Sequence, residues 1–448
     1  IIVGELAPDS GEVTVAKGKT IGYLAQYQDK DSNETIYNEV LHACDALIEK
    51  EEKLRKMEED MQHVSADELE KYMEQYNRFS HAFELEGGLT FRSEINGVLK
   101  GLGFSENDFG KKMSELSGGQ KTRVALGRLL VTKPDIIMLD EPTNHLDMAS
   151  IAWLENYLLN YKGAVIIVAH DRYFLDRIVT KVVEISRHTA TVFPGNYTAY
   201  ARQKEIQRES LLRQYYNQQR EIKHQEEVIS KLKSFNREKS IKRAESREKA
   251  LDKIERIEKP IDEKTDMHIT LEPEIASGND VLTVTGLSKS YEHTLFSNID
   301  FQIKRGEKVA LIGNNGTGKT TILKIINGIV DADEGEIRLG SNVEIGYYDQ
   351  EQQNLDPDKT LFDEIADAYP NLKETRIRNV LAAFLFTDDD VFKRIRDISG
   401  GERGRVSLAK LMLSNANFLI LDEPTNHLDI MSKEILESAI NSYTGTVL

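Results

Sequence analysis

The stretch Gly313-Asn-Asn-Gly-Thr-Gly-Lys-Thr320 decides the fold of this 448-residue chain. It follows the apolar run Val309-Ala-Leu-Ile312 and precedes the helical pattern Thr321-Ile-Leu-Lys-Ile-Ile326, which is the strand-loop-helix context that the GxxxxGK[ST] pattern requires. Its glycines let successive backbone N–H groups point inward, and the following helix adds the partial positive charge of its N-terminus. The stretch predicts a phosphate-binding loop, which we call the phosphate loop; a chance glycine-rich turn is the alternative.

The individual positions of the phosphate loop have predicted roles. Lys319 would reach the β- and γ-phosphates of a nucleotide, and the hydroxyl of Thr320 would hold Mg²⁺. The other predicted nucleotide contacts here are Gly313, Asn314, Asn315, Gly316, Thr317, Gly318 and Thr321. Tyr291, which precedes the loop, is available to stack on a purine base, with ordinary packing against a strand as the alternative.

Composition limits the classes of protein that fit. The formal net charge of −17 argues against a protein that coats nucleic acid over its whole surface, although a local basic patch is compatible with it. The single cysteine, Cys44, excludes an internal disulfide and a cysteine-based metal site, and suits a reducing compartment. The best apolar run, Ala164-Val-Ile-Ile-Val-Ala169, is far shorter than the ~18 residues of a membrane span. We therefore expect a soluble, cytoplasmic protein.

The chain resembles itself, so the phosphate loop does not stand alone. Residues 21–26 recur as residues 345–350, at an offset of 324, and residues 116–123 and 136–147 recur as 398–405 and 418–429, at an offset of 282. The first copy therefore carries 42 extra residues between Gln26 and Ser117. The same offsets would place the counterpart of Lys319 before Ile1 and that of His170 beyond Leu448, so we expect both copies to be clipped inside a functional motif.

Changes of pattern predict an α/β fold with three parts: a first copy at 1–200, a charged helical linker at 201–279 and a second copy at 280–448. Residues 38–88 have the spacing of a helical hairpin with a break near 63–67; a solvated helix pair without function is the alternative. The runs 136–139 and 165–168 are typical of parallel strands buried on both faces. Residues 5–26 read as short strands with turns at Ser10-Gly11 and Lys17-Gly18.

The linker is basic in an otherwise acidic chain. Residues 201–259 hold 17 Lys and Arg against 11 Asp and Glu, in a pattern that predicts two long antiparallel helices joined at 234–236. The candidate RNA contacts at their junction are Lys231, Lys233, Arg237, Lys239, Lys242, Arg243 and Arg247. A solvated charged face is the alternative.

Acidic pairs follow one strand of each copy. Asp140 and Asp422 end apolar runs, where a carboxylate can reach Mg²⁺ beside bound phosphates. Glu141 and Glu423 come next, placed to orient or deprotonate an attacking water. The same pair follows the Ser-Gly-Gly segments at the same interval twice, so it is more than a common strand-end feature.

Three further elements complete the predicted site. Two segments each open an apparent helix with a hydroxyl and two bare amides, which makes a second anion-binding nest. These signature segments are Ser117, Gly118 and Gly119, and Ser399, Gly400 and Gly401. His170 could sense the γ-phosphate, a packed or capping histidine being the alternative, and Gln26 and Gln350 can ligate Mg²⁺ or water.

A phosphate loop, a glutamine, LSGGQ, a strand-end Asp-Glu and a histidine in this order look like an ATP-binding cassette. Two cassettes on one chain, both with EPTNHLD, a hairpin in the first and a charged linker between them, resemble the ABC-F family of translation factors and ribosome protection proteins, and among these the housekeeping type with a short arm. The resemblance implies two P-loop cassettes that pair within one monomeric chain, each loop facing the other copy's signature segment, with ATP and Mg²⁺ between them. It further implies hydrolysis of ATP to ADP and phosphate.

The resemblance also implies a partner. In the ATP-bound closed state such a protein binds the ribosome and contacts rRNA; its linker lies near the P-site tRNA, its arm approaches the L1 stalk, and hydrolysis drives release. This chain departs from the family pattern at Ser399-Gly-Gly-Glu-Arg-Gly-Arg405 and at Ala169-His170. Two rival functions are an exporter ATPase, which would need a membrane domain, and a DNA-repair ABC ATPase, which would usually carry zinc cysteines or a longer coiled coil.

Overall fold

The computed structural model describes residues 1–24, 32–63, 66–186, 188–234, 238–251, 253, 256, 273, 275–291, 293–348, 355–386, 388–425 and 428–448. These residues divide into two compact units, Ile1–Asp171 with His268–Leu448, and Arg172–Met267. The repeated motifs of both copies therefore lie in the first unit. Among the described helices, none combines the length and the apolar character needed to cross a membrane.

The first copy contains a three-stranded parallel sheet of order β1-β2-β3 with helices around it. Its elements are β1 (Ile21–Leu24), α1 (Ile36–Leu41), α2 (Asp45–Met61), α3 (Ala66–Leu85), α4 (Phe91–Gly101), α5 (Gly118–Thr132), β2 (Ile136–Asp140), α6 (Met148–Leu159) and β3 (Ala164–Val168). The parallel pairing agrees with the prediction, but burial of β3 on both faces is wrong. Ile166 and Val168 are 43% and 55% exposed, because they lie on a face of β3 that is open, whereas Val165 and Ile167 on the other face are half-buried.

Helices α2 and α3 form an antiparallel hairpin, which we call the arm, in the region where the sequence predicted one. Tyr76 donates to Glu58 at 2.5 Å and Tyr72 to Asp60 at 3.4 Å, so later residues of α3 face earlier residues of α2. The hairpin ends at Gly88, whose backbone lies against the Phe83 ring. A Cβ at position 88 would lie 2.3 Å from that ring. Helix α4 follows directly, so the arm is attached to the first copy through α4.

The second unit consists of α7 (Arg172–Ile178), β4 (Lys181–Ser186), β5 (Thr189–Pro194), α8 (Tyr197–Ser234) and α9 (Glu238–Leu251). Helices α8 and α9 pack antiparallel, as predicted, and we call them the linker hairpin. Lys233 pairs with Glu248 at 2.5 Å and Arg247 donates to Gln225 at 2.6 Å. Ile222, Ile229 and Ala244 are buried, so a narrow apolar seam holds together two otherwise polar helices.

The second copy combines an antiparallel sheet of order β7-β6-β8 with a parallel sheet of order β9-β10-β11. Its elements are β6 (Asp280–Ser290), β7 (Thr294–Lys304), α10 (Lys319–Ile326), β8 (Glu334–Leu339), β9 (Ile345–Tyr348), α11 (Leu361–Ala368), α12 (Glu374–Ala383), α13 (Gly400–Met412), β10 (Phe418–Leu421), α14 (Ile430–Ser442) and β11 (Thr446–Val447). Every residue of β10 is buried. Phe418 and Ile420 belong to a core with α10 and β6, whereas Leu419 and Leu421 belong to a core with α11 to α13.

Two strand predictions are wrong. The run before the phosphate loop, 309–312, is not a strand: Lys308 forms one bridge with Val447 and Val309 N–H donates to Val447 O at 2.8 Å. Its neighbour β11 has two residues, which limits the ladder to that bridge. Within the range predicted as short strands, β1 is a strand, whereas residues 5–20 contain bends, one turn and irregular backbone without a strand, with Gly11 and Gly18 at φ of 89° and 82°. The corresponding segment of the second copy, β8, is a strand because it pairs with β6. In the part of the chain that the structure describes, no strand pairs with residues 5–20 in this way.

Candidate functional site

The phosphate loop needs glycine at 316 and 318. Gly316 and Gly318 have φ of 81° and 93°, which is the left-handed region that a residue with a side chain rarely adopts. A Cβ at Gly318 would also lie 2.8 Å from the side chains of Leu295 and Phe296. The loop therefore curls because of its glycines, as predicted, and Gly318 caps α10, which begins at Lys319.

The last two side chains of the phosphate loop point in different directions. Lys319 Nζ donates to Gly313 O at 2.8 Å and to Asn314 O at 2.9 Å, so its ammonium group lies at the centre of the loop. Thr320 Oγ1 donates to Asp422 Oδ1 at 3.1 Å, and Asp422 is only 7% exposed. A hydroxyl and a carboxylate side by side at a phosphate loop are the oxygen ligands that Mg²⁺ takes.

The predicted glutamine ligands, Gln26 and Gln350, lie outside the described residues. Within the part of the chain that the structure describes, no three His, Cys, Asp or Glu side chains form a metal-binding group. The donor set at Thr320 and Asp422 fits a different kind of site, in which Mg²⁺ takes one or two protein oxygens and the rest from phosphate and water. Asp140 occupies the corresponding strand end in the first copy, as the last residue of β2.

The two glutamates have strained backbones. Glu141 and Glu423 have φ of 49° and 45°, a left-handed conformation that costs a residue with a side chain on the order of 1–3 kcal/mol and is concentrated at functional sites. The repeat of this conformation, 282 residues apart, indicates that both glutamate side chains are held in the same direction relative to their strands. The sequence contained no signal for this conformation.

Glu141 has a distinctive electrostatic environment. Its side chain is 10% exposed, and its Oε1 lies 3.6 Å from Nε2 of His170. Burial raises the pKa of the Glu141 carboxyl, while the charges of His170 and Lys433 and the His170 backbone N–H oppose that rise. A carboxylate with a raised pKa is a better proton acceptor near neutral pH. The His170 side chain is 42% exposed, so it is not the packed histidine of the alternative interpretation.

The signature segments open helices in both copies, as predicted. Ser117 Oγ accepts the backbone N–H of Gln120 at 3.3 Å, and Ser399 Oγ accepts that of Glu402 at 3.3 Å. In return Gln120 and Glu402 accept the serine N–H groups at 3.0 and 2.8 Å. The glutamate that replaces glutamine in the second copy therefore preserves the same capping box.

The signature glycines differ in their surroundings. Gly118 and Gly400 have no described atom within 4 Å of a Cβ placed on them, so they present open backbone at the start of α5 and α13, where Gly401 is also located. A Cβ on Gly119 would instead lie 3.0 Å from the His145 side chain. The first signature segment therefore packs against the TNHLD segment of its own copy, which we define as residues 143–147.

The TNHLD segment touches the phosphate loop of the other copy. Asn315 Nδ2 donates to His145 O at 2.9 Å. Burial would raise the pKa of Asp147, but the hydrogen bonds from Ser150, the charge of Arg123 and the backbone N–H of Asn315 outweigh it and lower that pKa. His145 itself has φ of 65°. Neither His145 nor Asp147 was among the predicted site residues. The sequence did contain a signal for these two residues. The chain repeats EPTNHLD without change at 141–147 and 423–429, so the identical stretch extends well past the Asp-Glu pair.

Tyr291 lies at the turn between β6 and β7. Its side chain is 63% exposed, and Lys289 Nζ lies 5.4 Å from its ring centre. Packing of Tyr291 against a strand is therefore wrong. Stacking on a purine base stays a prediction.

The basic residues at the junction of the linker hairpin are of two kinds. Lys233 and Arg247 hold α8 and α9 together through Glu248 and Gln225. Lys231 and Arg243 are exposed, as is Lys242. Arg237 lies outside the described residues, and nothing is described of the Lys239 side chain. Contact with RNA stays a prediction for all seven.

The fold and the site together define a P-loop nucleotide-binding protein with two related nucleotide-binding domains in one chain. A family model described as ABC transporter matches residues 1–144 and 296–426, and a second model with the same description matches 183–270. The putative ATP-binding protein YdiF of Bacillus subtilis is 46% identical over an alignment of 450 residues that covers the whole of this chain and 70% of that protein. ABC transporter F family member 5 of Arabidopsis thaliana is 35% identical over the whole chain and 66% of its own length.

Among solved structures, an archaeal ribosome recycling factor in complex with an archaeal ribosomal stalk protein matches 96% of this chain and 68% of its own. The TM-score is 0.55 at 19% identity, which shows a shared twin-cassette fold. The chain belongs to the ATP-binding cassette family, in its ABC-F branch. It binds ATP and is an ATP hydrolase.

Proposed function

We propose that this ABC-F ATPase binds the ribosome in its ATP-bound closed state, acts on translation through the linker hairpin near the P-site tRNA, and leaves when ATP is hydrolysed. The proposal includes a cytoplasmic location, where ribosomes translate. The observation that carries it is the bond from Asn315 to His145, which joins the phosphate loop of one cassette to the TNHLD segment of the other. A site shared between two cassettes of one chain can open and close with its nucleotide.

The phosphate loop would hold the nucleotide by its backbone N–H groups, with Lys319 on the β- and γ-phosphates. Thr320 and Asp422 would hold Mg²⁺ in this site, and Asp140 in the other, with Gln350 and Gln26 as further ligands. When bound, Mg²⁺ supplies charge that neutralises the phosphate oxygens. Tyr291 would stack on the base, since its ring is exposed.

Glu141 and Glu423 would orient and deprotonate the attacking water. The support is the shared left-handed backbone of both residues and the burial that raises the pKa of Glu141. His170, 3.6 Å from Glu141, would donate toward the terminal phosphate and report its presence. The amides of the signature segments would complete each site from the opposite cassette.

The ribosomal part of the proposal is supported by charge and by similarity. The linker hairpin is the basic part of an acidic chain, and clustered Lys and Arg bind the phosphates of RNA. A relative is a member of an F family of ABC transporters, and the archaeal recycling factor shares the fold. The arm, α2 and α3, would approach the L1 stalk, with the chain acting as a monomer.

Co-sedimentation with purified ribosomes tests the proposal. The Glu141→Gln, Glu423→Gln double variant should pellet with ribosomes in ATP and remain in the supernatant in ADP, because only ATP allows the closed state to persist. Wild-type protein should pellet less in ATP, since it hydrolyses the nucleotide and leaves. Equal pelleting of the double variant in ATP, ADP and no nucleotide would overturn the proposal. An exporter ATPase would give no pelleting in any condition.

A further inference from the structure

The second cassette holds the segment that leads into it by backbone atoms. This segment, residues 275–279, lies directly before β6, and we call it the strap. Ile275 O accepts a hydrogen bond from Asn417 Nδ2 at 3.0 Å, and Ser277 O accepts one from Arg305 Nη1 at 3.1 Å. Two side chains that lie far from the strap in sequence therefore fix its path along the cassette.

Asn417 is the more buried of these two anchors, at 1% exposure. Its Nδ2 also donates to Asn342 O at 2.8 Å, and its Oδ1 accepts the Glu344 N–H at 3.0 Å. An asparagine side chain offers two N–H donors and one carbonyl acceptor, and here all three kinds of contact are made. The amide thus joins the strap to the turn before β9.

The first copy shows what an amide adds at this position. Asp135, 282 residues before Asn417, accepts the Thr20 N–H at 3.0 Å and Lys19 Nζ at 2.7 Å. The hydrogen bonds from Lys19 and Thr20 lower the pKa of Asp135 to about 2, so at neutral pH it is a carboxylate that has no proton to donate. Thr20 corresponds to Glu344 at the offset of 324. The acceptor is therefore common to both copies, whereas the donor that holds a carbonyl is present in the second.

A buried hydroxyl makes the docked strap easier to release. Ser277 is 4% exposed, and within the described part of the chain its Oγ has no hydrogen-bond partner. Burying a hydroxyl without a partner disfavours the docked state, because water would satisfy it after release. The fit is close all the same: the Gly278 N–H donates to Ser341 O at 2.8 Å, and a Cβ at Gly278 would lie 2.7 Å from Ser341 Oγ.

We propose that the strap is a latch. It docks on the second cassette through Asn417 and Arg305, and it is released when the linker hairpin binds its partner. The chain passes from the hairpin to the strap through residues 252–274, so a displacement of the hairpin pulls on the strap. The inference rests on the proposed binding of the ribosome by that hairpin.

The position of Asn417 connects the latch to hydrolysis. Asn417 directly precedes β10, and Asp422, the residue assigned to Mg²⁺, directly follows it. Release of the strap removes one of the bonds that fix the start of β10, while the bond from the Glu344 N–H stays. Asn417 touches neither nucleotide nor reacting atoms, so it is a positioning residue that acts through β10.

Thiol labelling tests the release directly. Cys44 is the single cysteine of the chain, so Cys44→Ala with Ser277→Cys leaves one thiol, at a position that is buried in the docked strap. In the Glu141→Gln, Glu423→Gln background with ATP, purified ribosomes should speed maleimide labelling of this thiol at least ~10-fold, because local opening exposes it.

The neighbouring position supplies the control for this labelling. Ala276 is exposed, so Ala276→Cys in the same background should react rapidly with and without ribosomes. A labelling rate of Ser277→Cys that does not change although the ribosomes co-sediment would overturn the latch. Absence of co-sedimentation would overturn the proposed function, and with it the ribosome as the partner that releases the strap.

ATPase activity gives a second readout, which a merely structural role would not produce. Asn417→Asp keeps the acceptor for Glu344 and loses the donor for Ile275, so the strap should be free without any partner. Its kcat without ribosomes should equal the value that wild type shows with ribosomes, and adding ribosomes should then change it less than ~2-fold. Asp135→Asn, the reverse exchange in the first copy, should keep both wild-type values.

Two further variants test the latch if Asn417→Asp does not fold. Arg305→Met loses the bond to Ser277 O but keeps its own backbone N–H on Asn279 O at 2.9 Å, and it should shift kcat in the same direction as Asn417→Asp. Ser277→Ala removes the unpaired hydroxyl, so it should hold the strap more firmly and reduce the ribosome-dependent change in kcat. Wild-type kcat values in both variants, with and without ribosomes, would overturn the inference.

Discussion

Thr320 Oγ1 donates a hydrogen bond of 3.1 Å to Asp422 Oδ1, between residues 102 positions apart. The bond joins the first turn of α10 to the residue that follows β10. Asp422 is nearly buried, and a buried carboxylate is stabilised by such a donor. The phosphate loop and the acidic strand end therefore form one site in the second cassette before any nucleotide is considered.

Replacing Thr320 separates the hydroxyl from the shape of the side chain. Thr320→Val removes the oxygen and should raise the Mg²⁺ concentration that gives half-maximal ATPase activity by at least ~10-fold, since a hard cation takes oxygen ligands. Thr320→Ser retains the hydroxyl and should stay close to wild type. An Mg²⁺ titration of ATPase activity measures both, and equal Mg²⁺ dependence of the two variants would contradict the assigned ligand.

The two strained glutamates lead to a prediction about turnover. Glu141→Gln with Glu423→Gln should reduce kcat by a factor of at least ~10², because a positioned general base contributes about that much. ATP affinity should be retained, since neither side chain is assigned a phosphate contact. Steady-state ATPase assays and equilibrium binding of ATP measure the two quantities. Near wild-type kcat in the double variant would remove the glutamates from the reaction.

Sequence patterns found much of this site. The loop glycines, the capping serines and the strand-end acids are local devices that need a particular residue at a particular spacing, and the structure places them accordingly. Contacts between distant segments were not predictable in this way. The bond from Asn315 to His145 depends on how two cassettes meet, and the left-handed backbone of Glu141 depends on how a turn leaves its strand.

The strand errors have a related cause. An apolar run predicts a strand only if a partner strand lies beside it, and residues 309–312 have a partner of two residues. The burial predicted for β3 also depended on neighbours that the run itself does not show: β3 pairs fully with β2, but an apolar run does not state whether both faces of the strand are covered. The exposure of Tyr291 could not be read from its neighbours either.

Ser117→Arg tests whether the first signature segment belongs to the site of the other cassette. Gly119 packs on His145, and His145 O accepts from Asn315, so the segment lies on the path to the phosphate loop. An arginine at the start of α5 places bulk where a phosphate would approach the helix N-terminus. The ATP concentration that half-closes the site around Lys319 should therefore rise at least ~10-fold. Ser117→Thr preserves the cap and is the control. Unchanged closure in Ser117→Arg would exclude head-to-tail pairing.

Glu402 should make the stability of α13 depend on pH, whereas Gln120 at the corresponding position of α5 should not. Burial would raise the pKa of Glu402, but the Ser399 N–H and hydroxyl and nearby cations outweigh it, and the pKa lies below its ordinary value of 4.5. Ionised Glu402 therefore stabilises the fold above pH 4.5, and this stabilisation is lost as pH falls through the lowered pKa.

Glu402→Gln keeps the capping acceptor, as Gln120 does. It should lower the free energy of unfolding at pH 7 by at most about 1 kcal/mol, and the difference from wild type should vanish in acid. Denaturant unfolding at several pH values measures it. Gln120→Glu is the reciprocal variant and should acquire the same dependence. A difference that is constant with pH would contradict the role of the Glu402 charge.

The linker hairpin carries the prediction that best separates a ribosomal function from the alternatives. Replacing Arg237, Lys239, Lys242 and Arg243 by Ser should weaken ribosome binding and flatten its salt dependence, because fewer cations are then displaced from RNA phosphate. Basal ATPase activity should remain, since none of the four belongs to a nucleotide motif. Lys233 and Arg247 are left in place because they hold α8 to α9. Co-sedimentation across a salt series, in the Glu141→Gln, Glu423→Gln background, measures the effect.

A control with the same loss of charge separates position from net charge. Arg202, Arg213, Arg220 and Lys223 are exposed on α8 away from the junction, and their replacement by Ser also removes four positive charges. If the junction acts as a specific contact, only the junction variant should lose ribosome binding, whereas a general electrostatic attraction would weaken both variants equally. Unchanged binding and an unchanged salt slope in the junction variant would mean that the basic residues are a solvated face, and the translational role would then need another contact surface on the cassettes or the arm.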